Sequence, residues 1–150
     1  MSVQAMNKPK ILVVEDDTIT RFMMTEMCDQ LGHRYEAAEN GLRCIEMLAE
    51  DPLRADVILM DIHMPDISGL EVCAQIRNRS EHPPRNLPVI AVTADEFWHD
   101  AEHCSAAGFD NVLPKPISIN MLQRALTQIM KHDYFSAPAT PMARPAHGKA

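Results

Sequence analysis

The sequence predicts an α/β fold: a doubly wound, five-stranded parallel sheet with helices on both faces. Three observations lead there. Apolar runs of about strand length alternate along the chain with segments of helical periodicity. The main runs are continuously apolar rather than alternating, as strands buried on both faces are. The connections are short, and right-handed crossovers between parallel strands lay their helices on both sides of one sheet.

Ile11-Leu12-Val13-Val14 is the first strand and ends in Glu15-Asp16-Asp17. Helical spacing then puts Ile19, Phe22, Met23 and Met27 on one face, and Leu31-Gly32 supplies a stop. Tyr35 to Ala38 is a short, less apolar second strand suited to a sheet edge. Asn40-Gly41 opens a helix carrying Leu42, Ile45 and Leu48. Val57-Ile58-Leu59-Met60 is the third strand and ends in Asp61. Ser68 with Glu71 three residues on is a capping box, which announces a helix through Val72 and Ile76. Ser80 to Asn86, with two prolines, reads as irregular. Val89-Ile90-Ala91-Val92 is the fourth strand, ending in Thr93, after which Asp95 caps a helix running to Ala107-Gly108. A short fifth strand over Asn111 to Leu113 leads through Pro114 to Lys115, and Met121, Leu122, Ala125, Leu126 and Ile129 mark the inner face of the last helix. Residues 1–8 read as a flexible N-terminus, 9–133 as one domain, and 134–150 as a disordered Pro/Ala-rich tail.

Bulk properties narrow the function. The 150 residues carry a net charge of −7, which argues against a broad basic face for nucleic acid. No apolar stretch approaches the roughly 20 residues of a membrane span, and the N-terminus lacks the apolar core of a secretory signal, so a cytoplasmic protein is expected. Cys28, Cys44, Cys73 and Cys104 are widely spaced in helical segments, the pattern of buried, reduced thiols.

The chemistry lies in how the strands end. In a doubly wound sheet, ligands bind outside the carboxyl ends of the strands, where the winding reverses. Glu15, Asp16, Asp61, Thr93 and Lys115 all follow the carboxyl end of a strand and so share one edge. Clustered carboxylates repel unless a cation or a raised pKa relieves them, and hard oxygens with open positions suit Mg²⁺. Lys115 could pair with a phosphoryl oxygen, and the Thr93 hydroxyl could donate to another. Asp61 then qualifies as a nucleophile that forms an aspartyl-phosphate. Singly, each residue has a plainer role: Asp16 or Asp17 as a helix cap, Asp61 as a turn residue, Lys115 as a solvated loop residue. Their conjunction favours a site.

Two other chemistries have thinner support. His99-Asp100-Ala101-Glu102-His103 fits H-x-x-E-H literally, with both histidines on one helix face, but nothing indicates a further zinc ligand. A glycine-rich phosphate loop is missing from the sequence.

These motifs resemble those of response-regulator receiver domains in two-component signalling. The resemblance spans about residues 9 to 131 and rests on Val13-Val14-Glu15-Asp16-Asp17, Met60 through Gly69, Ile90-Ala91-Val92-Thr93-Ala94 and Leu113-Pro114-Lys115-Pro116. It implies a flavodoxin-like sheet in strand order 2-1-3-4-5, with Asp61 as phosphoacceptor. Further, it implies Mg²⁺ held by Glu15, Asp16, Asp61 and the backbone carbonyl of His63, with Asp16 and Asp61 as direct ligands. Thr93 becomes the switch hydroxyl, Lys115 the lysine partner of the phosphoryl group, and Lys115-Pro116 a cis peptide. The implied phosphoryl donor is a histidine kinase or histidine phosphotransfer protein, and the output is a downstream protein target, reached through the fourth helix, fifth strand and fifth helix. A stand-alone receiver is expected: not an enzyme, but a phosphoacceptor with self-catalysed transfer and slow autodephosphorylation. One departure stands out. The family often has Tyr or Phe three residues before the lysine, and here that residue is Val112, with Phe109 the nearest aromatic. The rival expectation is therefore a degenerate receiver acting as a constitutive interaction module. A hydrolase of another aspartyl-phosphate lineage would usually need an acid where this chain has His63.

Overall fold

The computed structural model describes residues 8–79 and 86–136, with side chains to 131. The expectations for residues 1–7, for the irregular segment over 80–85 and for the tail over 137–150 lie outside the described residues. Five strands, β1 (Ile11–Val14), β2 (Tyr35–Ala38), β3 (Val57–Asp61), β4 (Val89–Thr93) and β5 (Asn111–Pro114), form one parallel sheet in the order β2-β1-β3-β4-β5. The helices between and after them are α1 (Thr18–Gln30), α2 (Gly41–Glu50), α3 (Gly69–Arg77), α4 (Ala101–Ala106) and α5 (Ile119–Ser136), with a 3₁₀ segment at Glu96–His99 before α4. This is the doubly wound, flavodoxin-like arrangement the sequence predicts.

Alternation along the strands divides the interior into two cores. Leu12, Val14, Ile58, Met60, Val89 and Ala91 face α2, α3 and α4 through residues such as Leu48, Val72 and Cys104. Ile11, Val13, Leu59, Ile90 and Val92 face α1 and α5, where Met24, Cys28, Leu122 and Leu126 meet them. Both faces of the three central strands are thus removed from water, which explains their unbroken apolar runs. All four cysteines are free and buried, as expected.

Four details differ from the sequence reading. Helix α1 turns Met24 and Cys28 to the sheet, while Ile19 (70% exposed), Phe22 (62%) and Met23 (50%) point outward. Apolar residues occupy both sides of this helix, so periodicity alone does not choose the buried side. Leu42, placed with Ile45 and Leu48, is also exposed. The single helix expected after Asp95 is two pieces. Asp95 caps the 3₁₀ segment through Phe97 N–H, and Asp100 then caps α4 through Glu102 N–H, so a second cap restarts the helix. Finally, α5 extends to Ser136, three residues into the segment assigned to the tail.

Candidate phosphoacceptor site

Local sequence builds the site at the carboxyl edge. The last apolar residue of β1 is followed by Glu15, whose N–H still pairs with the Ala38 carbonyl of β2 at 3.1 Å. That bond carries Glu15 inward, and it is 1% exposed. Asp16 then turns out to solvent, and Asp17 caps α1 by accepting from the Thr20 N–H at 2.8 Å. Asp61 closes β3 and is 3% exposed. Lys115 follows β5 across a cis peptide to Pro116, and its backbone N–H donates to the Thr93 carbonyl at 2.9 Å.

The side chains of three strand ends converge. The Lys115 ammonium lies 2.9 Å from Glu15 Oε1 and 3.4 Å from Asp61 Oδ1. Glu15 Oε2 accepts from the Asp17 N–H at 3.1 Å. Oxygens of Glu15, Asp16 and Asp61 lie within 4.8 Å of one another, and this is the sole group of three or more potential metal ligands among the described residues. One lysine faces three acids, so the cluster keeps an excess of negative charge in a largely dry place. Burial, and after it the neighbouring Glu15, push the Asp61 carboxyl up to about 7 against the opposing pull of Lys115. For Lys115, burial works against the charged form, yet the hydrogen bond to Glu15 and the charge of Asp61 hold it above its ordinary value. Such a donor set, all hard oxygens with residual negative charge, fits Mg²⁺.

Every side-chain site residue read from the sequence reaches this edge, and Thr93 sits beside it. Its hydroxyl accepts from the Asp95 N–H at 3.0 Å. His63, whose carbonyl the resemblance assigns to the metal, turns its ring away to Asp95 Oδ2 at 3.0 Å. Sequence reasoning missed three contributors. Arg21 donates to the carbonyls of Glu15 and Asp16 at 2.8 and 3.3 Å and fixes the acidic turn. Asp66 accepts from the Gly41 and Leu42 N–H groups at the start of α2, tying the loop after Asp61 to that helix. His99 Nε2 donates to the Thr93 carbonyl at 2.9 Å. Helix periodicity could have flagged Arg21, one turn after Asp17. No sequence signal marks the other two. The literal zinc motif dissolves: His99 lies in the 3₁₀ segment and His103 in α4, and each ring donates to a backbone carbonyl, Thr93 and Phe97 respectively.

Comparison with known proteins agrees with this geometry. The model of the response regulator receiver domain family matches residues 11–127. The receiver domain of a sensor histidine kinase from Pseudomonas aeruginosa PAO1, solved with magnesium coordinated in its active-site cleft, is 33% identical with a TM-score of 0.69. It covers 80% of this chain and 95% of that one. Response regulator TrrA of Thermotoga maritima, solved with Mg²⁺ and BeF, is 27% identical with a TM-score of 0.69, over 80% of this chain and 97% of the other. Probable histidine kinase 1 of Oryza sativa subsp. indica is 31% identical over 83% of this chain, which spans 16% of the kinase's length. The chain therefore belongs to the response regulator receiver domain family of two-component signalling. Its acidic cluster is like the Mg²⁺ site of the Pseudomonas relative. Among the described residues, no helix is long and apolar enough to cross a membrane.

Proposed function

We propose that Asp61 accepts a phosphoryl group from a phosphohistidine on a histidine kinase or histidine phosphotransfer protein, and that its phosphorylation switches a protein-interaction face. The observation that carries this reading is the buried Asp61 carboxylate, placed between Lys115 and the acids Glu15 and Asp16 at one sheet edge. In the transfer, an Asp61 oxygen forms a bond to phosphorus, the phosphorus–nitrogen bond breaks, and the imidazole leaves with the electron pair. Glu15, Asp16, Asp61 and the His63 carbonyl would hold Mg²⁺, whose charge offsets that of the phosphoryl oxygens. Lys115 pairs with one phosphoryl oxygen, and the Thr93 hydroxyl donates to another. The machinery for transfer resides in the receiver itself, so a small-molecule phosphoryl donor suffices. Slow loss of the group follows when water attacks phosphorus and the Asp61 oxygen–phosphorus bond breaks.

Acetyl phosphate labelling tests the assignment. Incorporation is expected with Mg²⁺, to fall sharply with a chelator, and to vanish in Asp61→Asn. Unchanged labelling of that variant would sink the reading. Val112 favours a second one, a constitutive interaction module whose acids are kept and whose switch is idle. That module predicts the same partner affinity before and after labelling.

A further inference from the structure

Thr93 is held at both ends by one short segment. Its hydroxyl accepts from the Asp95 N–H at 3.0 Å, and its carbonyl accepts from the His99 ring at 2.9 Å. Asp95 is the cap of the 3₁₀ segment Glu96–His99, and His99 is its last residue. Between them lie Phe97 and Trp98, whose rings meet edge to face at 4.8 Å. Phe97 also stacks on His103 at 4.2 Å, and the Trp98 carbonyl accepts from Cys104 Sγ at 2.8 Å, so the segment is fastened to α4. Trp98 and Val112 pack against the same core, on the side of the sheet that α4 covers.

We infer that the 3₁₀ segment Glu96–His99, clamped to Thr93 through Asp95 and His99, carries the state of Asp61 to the α4–β5 face, with Trp98 as the aromatic that moves in place of residue 112. This rests on the proposed phosphorylation of Asp61. When the Thr93 hydroxyl turns to a phosphoryl oxygen, it leaves the Asp95 N–H. The 3₁₀ cap then loses an anchor, and the His99 bond to the Thr93 carbonyl follows the displaced backbone. Val112 has no ring to swing and no polar atom to bond, so it cannot transmit this movement. Trp98 can: it lies between the two clamps in sequence, is partly buried, and touches α4 through its own carbonyl.

Because Trp98 is the sole tryptophan of the chain, the relay can be read without labels. The full chain is titrated with beryllofluoride in Mg²⁺, following bound fluoride by ¹⁹F NMR, tryptophan emission, and the Trp98 indole N–H resonance. The expected result is a change in emission and indole shift that saturates together with the ¹⁹F signal, measured against Mg²⁺ alone. His99→Leu should bind beryllofluoride yet lose most of the Trp98 response, whereas His99→Gln, which keeps a donor for the Thr93 carbonyl, should recover part of it. Bound ¹⁹F signal with an unmoved Trp98 in the wild-type chain overturns the relay and leaves the phosphoacceptor reading standing. A full response in His99→Leu overturns the part given to His99. Failure to bind beryllofluoride, together with failure to label from acetyl phosphate, overturns both.

Discussion

At the scale of single residues, the site balances a buried charge against few compensating partners. The raised pKa of Asp61 has a consequence for stability whose sign is fixed. Between the ordinary carboxylate range and about 7, the unfolded chain has released this proton while the folded one retains it. Stability in the absence of divalent ions is therefore lost as pH rises through that window. Asp61→Asn removes the buried charge and should stabilise the metal-free fold at pH 8 by about 2 kcal/mol, with the gain shrinking toward zero near pH 4. Urea unfolding in EDTA at the two pH values measures it, and a destabilised variant at pH 8 would contradict it. Gly69 imposes a second constraint. A Cβ there would collide with the Asp61 carbonyl and come within 2.9 Å of Met60 Cγ and 3.0 Å of Ile62 Cα. Backbone cannot yield as a side chain tip can, so Gly69→Ala should cost about 1–3 kcal/mol and slow labelling of Asp61 as well. Equal unfolding midpoints for the two proteins would refute the crowding argument.

Helix α1 shows at the scale of an element what periodicity can and cannot decide. Met24 and Cys28 are buried against the sheet, and Met23 is half exposed on the other side. Met24→Ala should cost about 2–4 kcal/mol through lost burial and the cavity it leaves. Met23→Ala should stay within about 0.5 kcal/mol. Chemical denaturation of the pair checks the assignment, and a reversed order would restore the face read from sequence. The three central strands were legible because burial on both faces leaves a continuous apolar run in each. Caps at Asn40, Ser68 and Asp95 were legible because a short polar side chain before an N-terminus has one main use. Not legible was the break at Asp100, where a second cap and the turn of His99 toward Thr93 outweigh the propensity to continue one helix. Tertiary bonds of that kind leave no mark in a local pattern.

At the scale of the molecule, the site exists only when the sheet does. Glu15 and Asp16 follow β1, Asp61 closes β3 and Lys115 follows β5, so residues up to a hundred positions apart meet through strand order alone. That dependence made the chemical set readable: once the sheet was parallel, every strand end fell on one edge. The clamps on Thr93 were not readable, since they depend on side-chain direction within that edge. The same dependence makes global stability a gauge of site occupancy. An unfolded chain cannot gather these carboxylates, so Mg²⁺ should bind the native state and stabilise it by RT ln(1 + [Mg²⁺]/Kd), about 2.7 kcal/mol at a hundredfold excess over Kd. Protons compete for Asp61, whose carboxyl is pushed up to about 7. At pH 8 the competition is slight, whereas at pH 6 it weakens apparent affinity by about tenfold, so the same Mg²⁺ concentration should yield about 1.4 kcal/mol less stabilisation. Urea titrations at both pH values, with and without Mg²⁺, provide the comparison. Equal Mg²⁺-dependent gains would mean that the proton on Asp61 does not compete with the ion, and would move the metal-binding role to Asp16 and Glu15 alone.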